Sequence, residues 1–184
     1  MSLGLYLHIP YCFSKCRYCD FYSHPGERGV PEAYVDALLR ELDRFAPEAP
    51  LQPDTLYFGG GTPSLLRPEQ AKRLIDAARP MPGAEITLEA NPETVTEESL
   101  AGFREAGVNR ISFGVQSARD TQLRTLGRPH TAKQARAAFA AARRAGFANI
   151  SGDIMLALPH YTEAEFDETL ELIEGGGATH ISAY

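Results

Sequence analysis

Short apolar runs alternate with longer amphipathic ones along the chain. The first run, Leu3 to Ile9, has the period-two alternation of a strand and stops at Pro10, which cannot donate to a sheet ladder. Pro31 then marks a helix start, and Val35, Leu38, Leu39, Leu42 and Phe45 recur at helical spacing as one apolar stripe. The Pro-rich text APEAPLQP closes that unit and leads into a second strand over Asp54 to Phe58. Ala71, Leu74, Ile75 and Ala78 mark the second helix, and Glu85 to Ala90 the third strand. A third helix is expected over about Thr96 to Ala106, stopped by Gly107. The fourth strand reads Val108 to Val115, with a short helical segment near Asp120 to Leu126. Thr131 with Gln134, and Thr162 with Glu165, have capping-box spacing for two further helices. The earlier of these ends in Arg143, Arg144 and Gly146, and a fifth strand spans Asn149 to Leu156 before the later one begins. Phe166, Leu170 and Ile173 form the last stripe, Gly175 to Gly177 end it, and a sixth strand begins at about Thr179.

Strands alternating with helices in this way indicate an α/β class with parallel strands and right-handed crossovers. A dinucleotide-binding doubly wound sheet would carry G-x-G-x-x-G after its first strand, and that text is absent. Six strand units rather than eight point to a partial TIM-type (β/α)6 barrel, with the chain ending in strand six. The 184 residues suit one domain, 1–184, with no linker or low-complexity stretch. Net charge of -6 argues against nucleic acid as a partner. No apolar run approaches a membrane span, and the N-terminus lacks the basic start and long apolar core of a secretory signal. A reducing, cytoplasmic setting is the expectation.

Against this background one stretch stands apart, YLHIPYCFSKCRYCDF from Tyr6 to Phe21. It carries Cys12, Cys16 and Cys19 in the spacing C-x3-C-x2-C, and the chain has no other cysteine. A disulfide would leave one thiol over. Three thiolates can hold an iron–sulfur cube and keep one iron open to a non-protein ligand. A structural zinc site completed by His8 or His24 is the alternative, although zinc sites usually pair two distant C-x2-C units. Lys15 and Arg17 between the cysteines suit a loop better than a packed interior.

In a parallel barrel, chemistry gathers at the carboxyl ends of the strands. There the second strand delivers Gly59, Gly60, Gly61, Thr62 and Pro63, whose bare backbone can approach a charged ligand. The lysine of a phosphate-binding P-loop is missing. The third strand delivers Glu89 and then Asn91, the fourth Gln116 and Ser117, and the fifth Asp153. Glu89 and Asp153 sit among apolar neighbours, where an unpaired carboxylate is costly to bury, so each calls for a partner or ligand. Arg128 arrives on the loop before the fifth strand and is a natural fork for a carboxylate. His130 and His160 lie beside prolines and read as solvated loop residues.

The motifs LYLHIPYC, YFGGGTPS, LEANPE, GVNRISFGVQS, LGRPH and DIMLALP span the whole chain. Together with the cysteine spacing they resemble the radical S-adenosylmethionine (SAM) enzymes, within the branch of oxygen-independent coproporphyrinogen oxidases and HemW-type haem chaperones. The resemblance implies a [4Fe–4S] cluster on Cys12, Cys16 and Cys19, with SAM chelating the open iron. An electron from the cluster then breaks a C–S bond and releases a 5′-deoxyadenosyl radical. It places Tyr6 and Tyr18 near cluster and SAM, lines the SAM site with Gly60, Gly61 and Thr62, and gives polar SAM contacts to Glu89, Gln116, Arg128 and Asp153. No catalytic residue is assigned from it. The oxidases carry a fourth cysteine where this chain has Phe21, so the resemblance favours a haem chaperone over a coproporphyrinogen oxidase. Its expected partners are SAM, haem or a porphyrin in the full-length protein, an electron donor and haem-receiving respiratory proteins, with peripheral membrane association during delivery. Two departures stand out. LPHYT at Leu158 to Thr162 replaces the family's LPGQT, and the C-terminal motif HNxxYW, linked in the family to haem binding, has no counterpart here.

Overall fold

The computed structural model describes residues 2–45, 51–158 and 161–184. Its centre is a six-stranded sheet of β1 (Gly4–Ile9), β2 (Thr55–Gly60), β3 (Glu85–Ala90), β4 (Arg110–Gln116), β5 (Asn149–Ile154) and β6 (His180–Ala183). The strands pair in chain order and every pairing is parallel. β1 and β6 are the two edges, so the expected six-unit barrel is an open one. The connections carry α1 (Glu32–Phe45), α2 (Pro68–Ala78), α3 (Glu97–Ala106), α4 (Asp120–Leu126), α5 (Ala132–Arg144) and α6 (Glu163–Gly175). Among the described residues no helix is long and apolar enough to cross a membrane.

The period-two pattern decides which face of the sheet meets the helices. Leu7, Ile9, Leu56, Phe58, Ile86, Leu88, Ile111, Phe113 and Ile150 are buried on the helix side and form the core with the helical stripes. The alternate positions turn to the concave side and are polar: Tyr57, Thr87, Glu89, Ser112, Ser151 and Asp153. A closed eight-stranded barrel fills that space with branched aliphatic side chains. Here the interior is left polar, and its upper end is where the site forms.

Thr131 and Thr162 cap α5 and α6 as expected, each accepting from the backbone N–H three residues on. Gly107 ends α3 with φ of 115°, a conformation costly for any residue with a Cβ. Some boundaries differ from the expectation. β2 continues through Gly59 and Gly60, β4 runs from Arg110 to Gln116, and β5 stops at Ile154. The cause at the β4 end is a register shift between Gly114 and Gln116, with Gln116 at φ of 66°. Phe45 is exposed rather than part of the α1 stripe, because α1 ends there. Short 3-10 turns at Pro63–Leu65 and Pro92–Thr94 follow β2 and β3, where proline starts each turn. Residues 46–50 of the Pro-rich segment lie outside the described residues, as do Pro159 and His160.

Candidate functional site

The cysteine loop leaves the end of β1 and folds back on itself. Tyr11–Cys12 forms a two-residue parallel bridge with His24–Pro25, and the N–H of Glu27 donates to the Cys12 carbonyl at 3.1 Å. The Arg17 N–H donates to the Leu126 carbonyl at 2.9 Å, which ties the loop to the end of α4. All three cysteines are free thiols, and all three face one cavity of about 510 Å³ at the carboxyl ends of the strands.

Among the described residues, no three His, Cys, Asp or Glu side chains converge around a single ion. A tetrahedral zinc site needs its ligand atoms about 2.0–2.3 Å from one centre. The three thiols share one cavity, and thiolates on separate irons of a cluster need only face a common chamber. The opposite wall comes very close. A Cβ on Gly61 would lie 2.7 Å from the Tyr11 carbonyl oxygen and 2.9 Å from Cys12 Sγ, so bare backbone is required there. Three thiols facing a chamber with polar strand ends opposite fit a thiolate-held cluster with an organic ligand beside it.

A continuous arc of hydrogen bonds runs behind the thiols. Thr62 donates to Cys12 Sγ at 3.5 Å, and Asn91 Nδ2 donates to Thr62 Oγ1 at 3.1 Å. Arg128 Nη2 donates to Asn91 Oδ1 and to the Gly114 carbonyl, both at 2.7 Å, while Nη1 reaches Cys16 Sγ at 3.5 Å. Arg128 arrives there because Gly127, at φ of 71°, ends α4 and turns the chain inward, and the Arg128 N–H closes that turn on Leu123. Burial alone would lower the Arg128 pKa. Tyr18, Cys16 and Glu93 outweigh it and hold the guanidinium above its ordinary value.

The two strand carboxylates face the same chamber. Glu89 accepts from Tyr57 Oη at 2.8 Å and from the Gly60 N–H at 3.2 Å. Burial raises its pKa above the carboxylate norm and Asp153 adds to the rise, against the two hydrogen bonds. Asp153 accepts from Ser112 Oγ at 3.2 Å and is raised, again chiefly by burial. Both groups are thus held in a largely buried polar pocket where a cationic or hydroxyl-bearing ligand would relieve them. Gln116 joins them on the cavity wall, aimed by its left-handed backbone.

Of the residues expected from the sequence, Tyr18, Gly60, Gly61 and Thr62 line the cavity with the cysteines, as do Glu89, Gln116, Arg128 and Asp153. Burial pushes the Tyr18 phenol up to about 12, with Arg128 pulling the other way. Tyr6 is not on the wall. It stacks on Tyr57 at 6.0 Å and so meets the site through the partner of Glu89. Ser117 turns away to bond Gln122. Tyr57 and Ser112 were not expected, although both fall on the concave positions of their strands. His130 corrects the expectation of a solvated loop residue: it is buried, Nε2 donates to the Val115 carbonyl at 3.1 Å, and Nδ1 lies 3.4 Å from Glu93 Oε2. His160 lies outside the described residues.

The chain is similar to known proteins over most of its length. The model of the radical SAM superfamily matches residues 6–173. The chain is 38% identical to the haem chaperone HemW of Bacillus subtilis over 97% of its own length, and 44% identical to HemW of Escherichia coli over 85%. Among solved structures it resembles coproporphyrinogen III oxidase (HemN) of Escherichia coli, a radical SAM enzyme, with a TM-score of 0.85 and 29% identity. That match covers 100% of this chain and 44% of the oxidase. The chain spans about half the length of the curated relatives it matches: 49% of the Bacillus subtilis protein and 43% of the Escherichia coli one.

Proposed function

Because this chain belongs to the radical SAM superfamily, we propose that residues 1–184 are the SAM-binding core of a haem chaperone, one that takes up haem and passes it to respiratory proteins. The observation that carries the cofactor half of this reading is the set of Cys12, Cys16 and Cys19 facing one chamber with Glu89, Gln116 and Asp153. Cys12, Cys16 and Cys19 would hold the [4Fe–4S] cluster. The Gly60–Gly61 backbone and Thr62 would bound the ligand beside it, with Tyr18 against the cluster. Glu89 and Asp153 would accept from the amine and hydroxyls of SAM, and Gln116 would contribute an amide. When bound and reduced, the cluster supplies the electron that opens a C–S bond of SAM. The chain's own part is to exclude water, orient the ligand and keep two carboxylates poised to receive donors. An external one-electron donor is required.

Phe21 supports the chaperone over the oxidase. It stands on the cavity rim, 66% exposed, at the position where the oxidase branch carries its fourth cysteine. The fold likeness to HemN gives the oxidase reading its footing, so the two are separated by assay. Anaerobic reconstitution with iron and sulfide should yield four irons per chain, and Cys16→Ala should lose them. The full-length protein should bind haem, read from the Soret band, and form no protoporphyrinogen from coproporphyrinogen. Turnover of coproporphyrinogen would overturn the chaperone reading. Zinc in place of iron after anaerobic purification would overturn the cofactor reading.

A further inference from the structure

His130 is a buried ring outside the chamber, and it lies two residues beyond Arg128. Its Nε2 meets the Val115 carbonyl at 3.1 Å. A carbonyl only accepts, so Nε2 carries a proton, and the other ring nitrogen, Nδ1, is left facing Glu93 Oε2 at 3.4 Å. The His130 side chain is fully buried and that of Glu93 nearly so. Neither of the two facing atoms has a hydrogen-bond partner among the described residues. Opposed lone pairs in such a place would leave both groups unsatisfied. One proton between them satisfies both, and the pair then has no net charge whichever atom holds it. We propose that His130 is a positioning residue for SAM binding: by sharing a proton with Glu93 it cancels that carboxylate and reserves Arg128 for the anionic end of SAM. The inference rests on the SAM reading of the chamber above.

The need for such cancellation follows from where Glu93 sits. It stands on the 3-10 turn Pro92–Thr94, two residues after Asn91, whose Oδ1 accepts from Arg128 Nη2 at 2.7 Å. Glu93 acts on the guanidinium and helps to hold it above its ordinary value, while Arg128 Nε is buried without a partner among the described residues. An uncompensated carboxylate in that position is costly and draws a neighbouring cation. The chamber has little cationic charge to lose. Of the residues on its wall only Lys15 and Arg128 are basic, and Lys15 Nζ is turned to the Phe21 carbonyl at 3.1 Å. SAM carries a carboxylate, and a guanidinium already neutralised by Glu93 would hold it weakly. One short turn after α4 delivers both parts of the device, Arg128 to the chamber wall and His130 to Glu93.

The test is SAM affinity, measured by equilibrium dialysis on the anaerobically reconstituted chain at matched iron content, with urea midpoints beside it. Wild type is compared with His130→Gln, Glu93→Gln and the double variant. Glutamine at position 130 keeps an amide donor for Val115 but cannot take up the extra proton. In His130→Gln the dissociation constant should rise about tenfold, the worth of one charge-assisted hydrogen bond. Glu93→Gln should bind within about twofold of wild type, and the double variant should recover to that level although the whole pair is gone. Recovery is the signature of a cancelled charge. A ring that only braced the turn would leave the double variant as weak as His130→Gln or weaker, and that result overturns the proposal. Should His130→Gln not fold, the double variant decides: folded with wild-type affinity it supports the proposal, and unfolded or weakly binding it overturns it. Unchanged affinity in His130→Gln removes the inference alone. A wild type that holds its cluster and binds no SAM removes the SAM reading and this inference with it.

Discussion

Replacing Gly61 with alanine adds a single carbon, and the structure says where it would go. Gly61 follows β2 and faces the start of the cysteine loop, and its backbone is not in the left-handed region. Alanine is therefore conformationally allowed, and the effect is steric alone. The new Cβ would stand 2.7 Å from the Tyr11 carbonyl oxygen, 3.0 Å from the Tyr11 nitrogen and 2.9 Å from Cys12 Sγ. Two of these are backbone atoms in the bridge to His24–Pro25, and the third is a ligand sulfur, so none can swing aside as a side-chain tip would. Relief requires the loop to move off β2, at a cost of about 1–3 kcal/mol. A chain of this size loses roughly 2–4 °C of Tm per kcal/mol, so melting should drop by about 2–12 °C. Displacing Cys12 also spoils the thiol arrangement. The decisive assay is therefore iron and sulfide content after anaerobic reconstitution, beside a thermal melt followed by circular dichroism. Gly61→Ala should melt early and hold clearly less than four irons per chain. A variant with unchanged Tm and a full cluster would show that the loop yields freely, and the reasoning from close approach would be wrong. Gly60→Ala is the companion case. Its φ of 118° adds backbone strain, but its Cβ would meet the His8 ring rather than a thiol or the backbone of the cysteine loop. It should cost stability while sparing iron content more than Gly61→Ala does.

The remaining predictions concern buried polar groups. Glu89 is held above its ordinary pKa in the folded chain, so stability falls as pH rises from the ordinary carboxylate value through the raised one, then levels off. Glu89→Gln should make the ligand-free chain more stable at pH 7, on the order of 1 kcal/mol, and SAM binding weaker; the stability gain should vanish in acid below the normal carboxylate range. Denaturant melts across pH check the first part and equilibrium dialysis the second. His130→Ala removes a buried ring bonded to Val115 and strips Glu93 of its neighbour, so it should destabilise by about 2–3 kcal/mol, read from urea midpoints. Thr131→Ala deletes a helix cap on the surface of α5 and should cost about 1 kcal/mol without changing iron content.

Much of the scaffold is written in the hydrophobic pattern. Leu56 and Phe58, Ile86 and Leu88, and Ile111 and Phe113 alternate as strand residues must when one face meets helices, and all six are buried. The caps at Thr131 and Thr162 are local grammar, readable from four residues each. What failed to show was decided over long distances. Nothing near His130 in the sequence says that Val115 and Glu93 will enclose it, since those contacts depend on how β4 and the turn after β3 pack. Tyr57 and Ser112 were visible in principle, because their alternation with apolar neighbours puts them on the face opposite the core. Neither stands out in the sequence, because an uncharged hydroxyl at a strand position lacks the burial cost that marks Glu89 and Asp153.

The cysteine spacing shows the same divide between local and long-range information. Three thiols within eight residues, Cys12 to Cys19, left zinc and an iron–sulfur cluster both open. What separates them is how the sulfurs are spread and what holds them. A loop clamped to Leu126 by Arg17, and to itself by Cys12 and Glu27, keeps all three thiols on one chamber. The same clamp brings α4 alongside the loop and so carries Arg128 to Cys16, a residue 112 positions earlier in the chain. Arg128 then does for the thiolates what spacing cannot: it decides which way the hydrogen bonds of Asn91 and Thr62 run. The cysteine spacing is thus local text, but the polar groups that meet the thiols come from the far end of β4 and the turn after α4.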